Sequence, residues 1–458
     1  MNGRSDAPPP GFDAAARGRR LLLLALLALS GARLFGFVVR FGSEALQLDL
    51  AAYDAAGQAM RGGLDPYRTW PDREPRLWDG KSRFVHSRFL YPPLVASLFA
   101  PLAALPYVVV KWSFLGASLL ALGLATLRLG RDTGLLPPVP ERADACLLAA
   151  TLALSAHPLL TLLERGQVDA FTLLLLALAF SGPLRGRAPG LSSGLWLAAA
   201  TLLKLNAAYV TAFWALRRFW RGLLGFSLGV AGLGLVSLAV DGKPAVGSYL
   251  TRELPRIARY GEDGPPEARL SERALKALRA GAPEGFAWRD GRLYRIEWFG
   301  FTANASLARL LSRGLGQGGL ELDASASSLA ILATALALVA WALPKRRGLV
   351  LAGHGELAFS TAVLMALLLA GPLTWVMNLV WMVPGALLVL RARPPASRAE
   401  AGASVFAILG LLLAWLPDQH AFPLLLPFHP ELADFKYVAA EVLLFGAALG
   451  YLRDSQSK

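Results

Sequence analysis

One cysteine, Cys146, in 458 residues rules out an intrachain disulfide and any multi-cysteine metal site. Charge is scarce as well: 17% of the residues are Asp, Glu, Lys or Arg, against about 25% in soluble globular domains. The five histidines are His86, His157, His354, His420 and His429, and no His-x-x-x-His, Cys-x-x-Cys or Asp-x-Asp occurs in ligand-like spacing. No Walker loop is present, and no Gly-x-Gly-x-x-Gly opens a strand–helix unit. These absences exclude a secreted disulfide scaffold and a dedicated nucleotide-binding domain. No metal and no cofactor are expected.

What the chain has in quantity is apolar surface: 55% hydrophobic residues and a mean hydropathy of +0.46. The apolar residues fall into runs of about 15–23, the length that crosses a hydrocarbon core of about 30 Å. A polytopic, all-α membrane protein follows. Lys and Arg outnumber Asp and Glu by 46 to 32, which in a soluble chain would suggest nucleic acid. Here the arginines stand just beyond apolar runs, where the positive-inside rule uses them to set orientation, and no nucleic-acid partner is expected. Only eight of the basic residues are lysine, so a lysine inside an apolar stretch stands out.

Basic clusters at Arg128 with Arg131, Arg185 with Arg187, Arg217 to Arg221, Lys345 to Arg347, Arg391 with Arg393, and Arg453 are expected on the cytoplasmic side. Residues 1–20 then form a cytoplasmic tail, 21–452 a single transmembrane domain, and 453–458 a second cytoplasmic tail. The long hydrophilic segments 41–88 and 241–323 fall outside. So do the connection Glu164–Asp169 and the loop around Thr374. Ten spans are expected, near 19–40, 108–127, 144–163, 167–183, 220–240, 325–343, 355–373, 376–391, 402–416 and 435–452. Residues 89–106, with four prolines, read as a re-entrant helix. Residues 190–216 are too few for two full crossings and read as two short helices meeting near Lys204 and Asn206.

The chemistry-bearing residues gather in these irregular places. Asp49 stands about ten residues beyond the first span, before a short interfacial helix over 50–61. A carboxylate partly out of water there is a candidate general base, or else a helix cap. Asp54 on the same helix reads as a solvated residue. Arg83, His86 and Arg88 precede Tyr91-Pro-Pro-Leu94; Arg88 in particular is placed to meet a lipid phosphate, or a headgroup nonspecifically. In Glu164-Arg-Gly-Gln-Val-Asp169, Gln167 and Asp169 either line the outer cavity or cap helices. Lys204, within an apolar run, either contacts a phosphate or pairs with a carboxylate such as Asp169. Asn304 and Ser306 suit sugar hydroxyls or helix caps. Trp375, in Gly371-Pro-Leu-Thr-Trp375, offers a stacking face or an interfacial belt residue.

Taken in order, Asp49…Tyr53…Gly63-Leu-Asp-Pro-Tyr67, Tyr91-Pro-Pro-Leu94…Pro101 to Pro106, Gly166-Gln-Val-Asp169, Leu202-Leu-Lys-Leu-Asn206, Asn304-Ala-Ser-Leu307 and Gly371 to Trp375 resemble the motif series of glycosyltransferase family 87, over residues 20–390. The resemblance implies a GT-C fold of about 10–13 transmembrane or re-entrant helices. It also implies transfer of a sugar, mannose foremost, from a polyprenyl-phosphate donor to a lipid- or glycan-linked acceptor, by an inverting single displacement on the extracytoplasmic face of the inner membrane. Asp49 matches the family's first-loop acid and is the expected base. Arg88 and Lys204 are the expected ligands of the donor phosphate. Tyr53, Tyr91, Gln167, Asp169, Asn206, Asn304 and Trp375 are the expected substrate-binding residues. The chain departs from the family pattern after Trp375, where Val376, Met377 and Asn378 replace an acidic residue and histidines, and at Ala207, where a proline is usual. Rival readings are a GT-C transferase with a pentose or aminoarabinose donor, and a non-catalytic carrier or flippase of lipid-linked sugars.

Overall fold

Apolar runs of this length become helices because a backbone in lipid must satisfy its own hydrogen bonds, and proline and glycine then set where each helix stops. The computed structural model describes residues 10–43, 47–67, 89–135, 143–258, 286–289, 292–295, 306–308, 310–311, 324–343, 351, 353–371, 373–391, 398–417 and 431–454. The first half holds α1 (Pro10–Ser43), α2 (Leu48–Arg61), α3 (Pro93–Phe99), α4 (Tyr107–Asp132), α5 (Ala143–Ser155), α6 (His157–Arg165), α7 (Asp169–Leu184), α8 (Leu191–Leu203), α9 (Val210–Leu216) and α10 (Trp220–Val240). The short α11 (Gly242–Ser248) and α12 (Leu254–Ala258) follow. An antiparallel pairing of Phe286–Arg289 with Arg292–Arg295 lies farther along the same hydrophilic segment. The second half holds α13 (Ala324–Ala342), α14 (His354–Ala370), α15 (Val383–Arg391), α16 (Arg398–Trp415) and α17 (Glu431–Asp454).

Among the described residues, six helices are long and apolar enough to cross a bilayer, and shorter apolar helices fill in between them. The protein is an integral membrane protein. Large apolar side chains such as Leu21, Phe35, Leu120, Leu235 and Phe406 are exposed on α1, α4, α10 and α16, as expected of helices that face acyl chains. At the centre stands α14, in which every residue from Gly355 to Ala370 is buried. It packs on α13, α15 and α17, while α4, α7, α8 and α10 form a second row. Gly194 lets α8 approach α10 closely: a Cβ there would lie 2.2 Å from the carbonyl oxygen of Gly222. Small residues at such crossings let the two backbones meet without a side chain between them.

The expected break inside 190–216 is present. Helix α8 stops at Lys204, whose backbone is extended (φ −145°, ψ 107°), and a 3-10 turn over Leu205–Tyr209 leads into α9. Residues 89–106 likewise hold only α3 and a 3-10 turn over Leu102–Ala104, ending at Pro106, the cap of α4.

Two expected spans are irregular. The run 144–163 is one of the six crossings, but it bends at Ala156 (ψ 131°), where α5 gives way to α6, because Pro158 has no N–H to carry the hydrogen-bond ladder through. The run 376–391 opens as a 3-10 helix over Val376–Met382 before α15 begins.

Two ends of the helix array are chemically distinct. Where α4 and α7 finish, Asp132 bonds Arg128 at 3.0 Å and Arg185 at 2.6 Å. Where the same helices begin, Tyr107 bonds the backbone of Gln47, and Asp169 is wholly buried. The candidate site lies at this second end.

Candidate functional site

Gly166 brings the site together. Helix α6 ends on this residue in the left-handed conformation (φ 70°, ψ 52°), its N–H bonded to the Leu162 carbonyl. Any other residue would be strained there, and a Cβ would come within 2.7 Å of Leu50 Cβ. The tight turn therefore lets the junction of α6 and α7 rest directly on the first turn of α2. Arg165, one residue earlier, reaches across it. Its Nε donates to Asp49 Oδ2 at 2.7 Å and its Nη2 to Asp49 Oδ1 at 3.2 Å. Gln47, not Asp49, is the cap residue of α2; both carboxylate oxygens of Asp49 face a guanidinium instead. The Asp49 side chain is 3% exposed and that of Arg165 24%.

Asp169, in the first turn of α7, organises the other half. Lys204 Nζ stands 3.3 Å from its Oδ2, and Asn378 Nδ2 donates to its Oδ1 at 2.7 Å. Asn378 is itself oriented by the Trp375 N–H, which donates to Asn378 Oδ1 at 2.6 Å. That chain of contacts sets the Trp375 ring beneath both cations: Lys204 Nζ is 5.4 Å from its centroid and the Arg165 guanidinium 6.0 Å. A cation over an indole ring gains most where water is scarce. The extended backbone at Lys204 brings the amine here, since a continued helix would turn it elsewhere.

Gln167 links the two halves. Its Oε1 accepts from both the Tyr53 and the Tyr91 hydroxyls at 3.1 Å, and those hydroxyls are 2.9 Å apart. Tyr91 is fixed from behind by the Tyr67 hydroxyl, which donates to its carbonyl at 2.7 Å. Burial pushes the Tyr53 hydroxyl well up and pushes Tyr91 to about 12. Both phenols stay neutral at working pH and can orient a sugar hydroxyl rather than take its proton.

Asp49, Tyr53, Tyr91, Gln167, Asp169, Lys204 and Trp375 thus gather at one end of the bundle. The charge on Asp49 reaches Tyr53, Tyr91, Asp169 and Lys204. Asn206 lies two residues beyond Lys204, against the Gly371 bend, with its buried Oδ1 making no hydrogen bond among the described residues. Arg83, His86, Arg88 and Asn304 lie outside the described residues. Ser306 is buried, and its hydroxyl donates to the Gly371 carbonyl, so it fastens the Trp375 loop.

The solvated position expected for Asp54 is corrected: it is 1% exposed, because α3 and the turn after it pack over α2. Gln58 Nε2 donates to it at 2.9 Å, and burial pushes its carboxyl up to about 6.

Two residues of the cluster, Arg165 and Asn378, have no role assigned from the sequence. Arg165 carried a signal, since it is an arginine in a connection assigned to the outer side, against the positive-inside bias. Asn378 carried only its position three residues after Trp375.

Comparison with known proteins agrees with the motif series. The model of glycosyltransferase family 87 matches residues 89–289. The chain is also similar to a polyprenol-phosphate-mannose-dependent alpha-(1-2)-phosphatidylinositol mannoside mannosyltransferase from Mycobacterium tuberculosis, with 27% identity over 433 residues, 90% of this chain and 85% of the relative. The resemblance read from the motifs is borne out.

Proposed function

The chain is a membrane glycosyltransferase, and from that premise we propose that it moves mannose from a polyprenyl-phosphate donor to a lipid- or glycan-linked acceptor, with Asp49 as the base. The observation that carries this reading is that two cations lie over a single indole, one paired with the near-buried Asp49 and the other with the buried Asp169, beside a triad of neutral sugar-type hydrogen-bonding groups. A carboxylate, a phosphate-binding cation and a polar cradle are what a nucleotide-free transfer needs. The mycobacterial relative, by its name, uses a polyprenol-phosphate-mannose donor.

The step is a single in-line displacement. The acceptor hydroxyl oxygen attacks the anomeric carbon while its proton passes to Asp49. The bond from that carbon to the phosphate oxygen breaks, and its electron pair leaves with the polyprenyl phosphate. Lys204 meets the charge that develops there, as a preorganised cation does most effectively in a low-dielectric site. Arg88 is a second expected phosphate ligand. Tyr53, Tyr91 and Gln167, with Asn206, Asn304 and Trp375, cradle the sugar. Attack opposite the leaving phosphate inverts the centre, so a β-linked donor yields an α-linkage. The cluster lies at the end away from Arg128 and Arg185, which the positive-inside rule assigns to the cytoplasm; this supports an extracytoplasmic reaction with both tails inside.

The test is turnover of labelled polyprenyl-phosphate-mannose by the purified chain in detergent, with a panel of phosphatidylinositol mannosides as acceptors. Wild type is expected to release polyprenyl phosphate in step with labelled product. Asp49→Asn is expected to keep its thermal unfolding profile and lose at least about 100-fold in turnover, in the range for a positioned general base. Unchanged turnover by Asp49→Asn would remove the base assignment.

A further inference from the structure

Two cations lie over the Trp375 ring, and a carboxylate holds each of them, but the two pairs are not equivalent. Asp169 is fully buried and is also bonded by Asn378. Pulling Lys204 away would strand a desolvated charge, so that pair is fixed. Arg165 is different. Its side chain is partly exposed, and it sits in the last turn of α6, next to the left-handed Gly166. Its fork engages both oxygens of Asp49, and a guanidinium fork fits a phosphate as well as it fits a carboxylate. A carboxylate whose two oxygens each accept from one guanidinium keeps a free lone pair on each oxygen but is a weaker base than an unpaired one. The residue placed to act as base is therefore weakened in the arrangement seen here.

We propose that Arg165 is a ligand of the donor phosphate that Asp49 holds in reserve: when the lipid phosphate arrives between Arg165 and Lys204, the guanidinium exchanges from carboxylate to phosphate, and Asp49 becomes available to the acceptor hydroxyl. This rests on the lipid-phosphate reading above and adds an order of events to it. The base gains its full strength only when a donor is seated. The stranded carboxylate is in turn compensated by the proton it takes during transfer. Water that enters without a donor meets a carboxylate already engaged.

The exchange makes an unusual claim: removing a negative charge from the base should tighten the lipid, and only through Arg165. The measurement is the binding of a short-chain polyprenyl monophosphate, which carries no sugar and cannot turn over, to the full chain in detergent by calorimetry. The free polyprenol serves as a phosphate-less control, and inorganic phosphate shows whether the headgroup suffices. Asp49→Asn is expected to tighten polyprenyl monophosphate about fivefold, the scale of a partly exposed ion pair released to a new partner. Arg165→Gln is expected to weaken it about tenfold. In the Arg165→Gln background, adding Asp49→Asn is expected to change the affinity less than about twofold. Arg165→Lys, which keeps the charge and loses the fork, should fall between. Thermal unfolding of each variant shows that the fold is retained, and if Arg165→Gln does not fold, the cycle is run in the Arg165→Lys background.

If Asp49→Asn leaves binding unchanged or weaker, the ion pair is structural and the exchange is overturned. If the tightening persists undiminished without Arg165, it reflects plain repulsion between carboxylate and phosphate, and the exchange is again overturned. If folded wild type binds no polyprenyl monophosphate, the lipid-donor reading itself fails, and the exchange with it.

Discussion

Asn378 donates to Asp169 at 2.7 Å across 209 residues of chain, tying the 3-10 turn after Trp375 to the first turn of α7. The family pattern usually has acidic and histidine side chains near this place. Here the amide neutralises nothing but orients a carboxylate, so that Asp169 can balance Lys204. The charge of the amine is thereby offset within the fold.

That arrangement sets a stability test. Asp169→Asn leaves Lys204, with its side chain only 15% exposed, short of its counter-charge and should cost about 3 kcal/mol. Replacing both as Asp169→Asn with Lys204→Met should recover most of the loss. Thermal unfolding in detergent reads both outcomes, and a single variant as stable as wild type would deny the coupling.

Gly166→Ala should harm catalysis more than stability. The positive φ of Gly166 and the approach of Leu50 to 2.7 Å of any Cβ together should cost about 1–3 kcal/mol. The same clash pushes the first turn of α2 outward and carries Asp49 with it. A displacement of about 1 Å at a reacting group is worth about 100-fold in rate. Turnover measured at a temperature where the variant remains folded separates the two effects.

Tyr53 and Tyr91 orient Gln167 and stay neutral, so Tyr91→Phe should lose about 1 kcal/mol of stability, the net value of a hydrogen bond. The donor KM should rise by no more than about tenfold. The acid limb of the pH–rate profile should not move, because a phenol pushed to about 12 does not titrate there. A displaced limb would make Tyr91 part of the proton path.

Asp54 gives the chain a pH-dependent stability of definite sign. Its folded-state pKa, about 6, lies above the ordinary value of 3.8. The protonated carboxyl therefore favours folding, fully below about pH 4, and this contribution is lost as pH rises through about 6. Asp54→Asn should raise the thermal midpoint relative to wild type at pH 7.5, by up to about 3 kcal/mol in stability, and leave it unchanged near pH 4. An equal gain at both values would show that ionisation is not the cause.

Much of this site could be read from the sequence because membrane insertion makes polar residues conspicuous. A lysine among leucines at Lys204, a carboxylate just past an apolar run at Asp49 and a glycine between two helices at Gly166 each break a strong local rule, and all three meet in the folded chain. The break at Lys204 followed from counting residues against bilayer thickness. Contacts joining distant segments could not be read this way. Asp49 and Arg165 are 116 residues apart, and nothing local tells an arginine that pairs with a carboxylate from one that meets a headgroup. Asp54 was misjudged for the same reason: its helix has polar residues on one side, but α3 covers that side too. The bend at Ala156 was visible in Pro158, yet the run around it is apolar enough to suggest a single straight span.

The most direct measurement is a structure of the full chain in lipid nanodiscs with bound polyprenyl-phosphate-mannose and Asp49→Asn to block turnover. The expected density has the phosphate between Lys204 and Arg165, the sugar over Trp375 within reach of Tyr53, Tyr91 and Gln167, and residue 49 on the face of the anomeric carbon opposite the phosphate. A donor phosphate bound away from Lys204, or a sugar with residue 49 on the same side as its leaving group, would contradict transfer at this site.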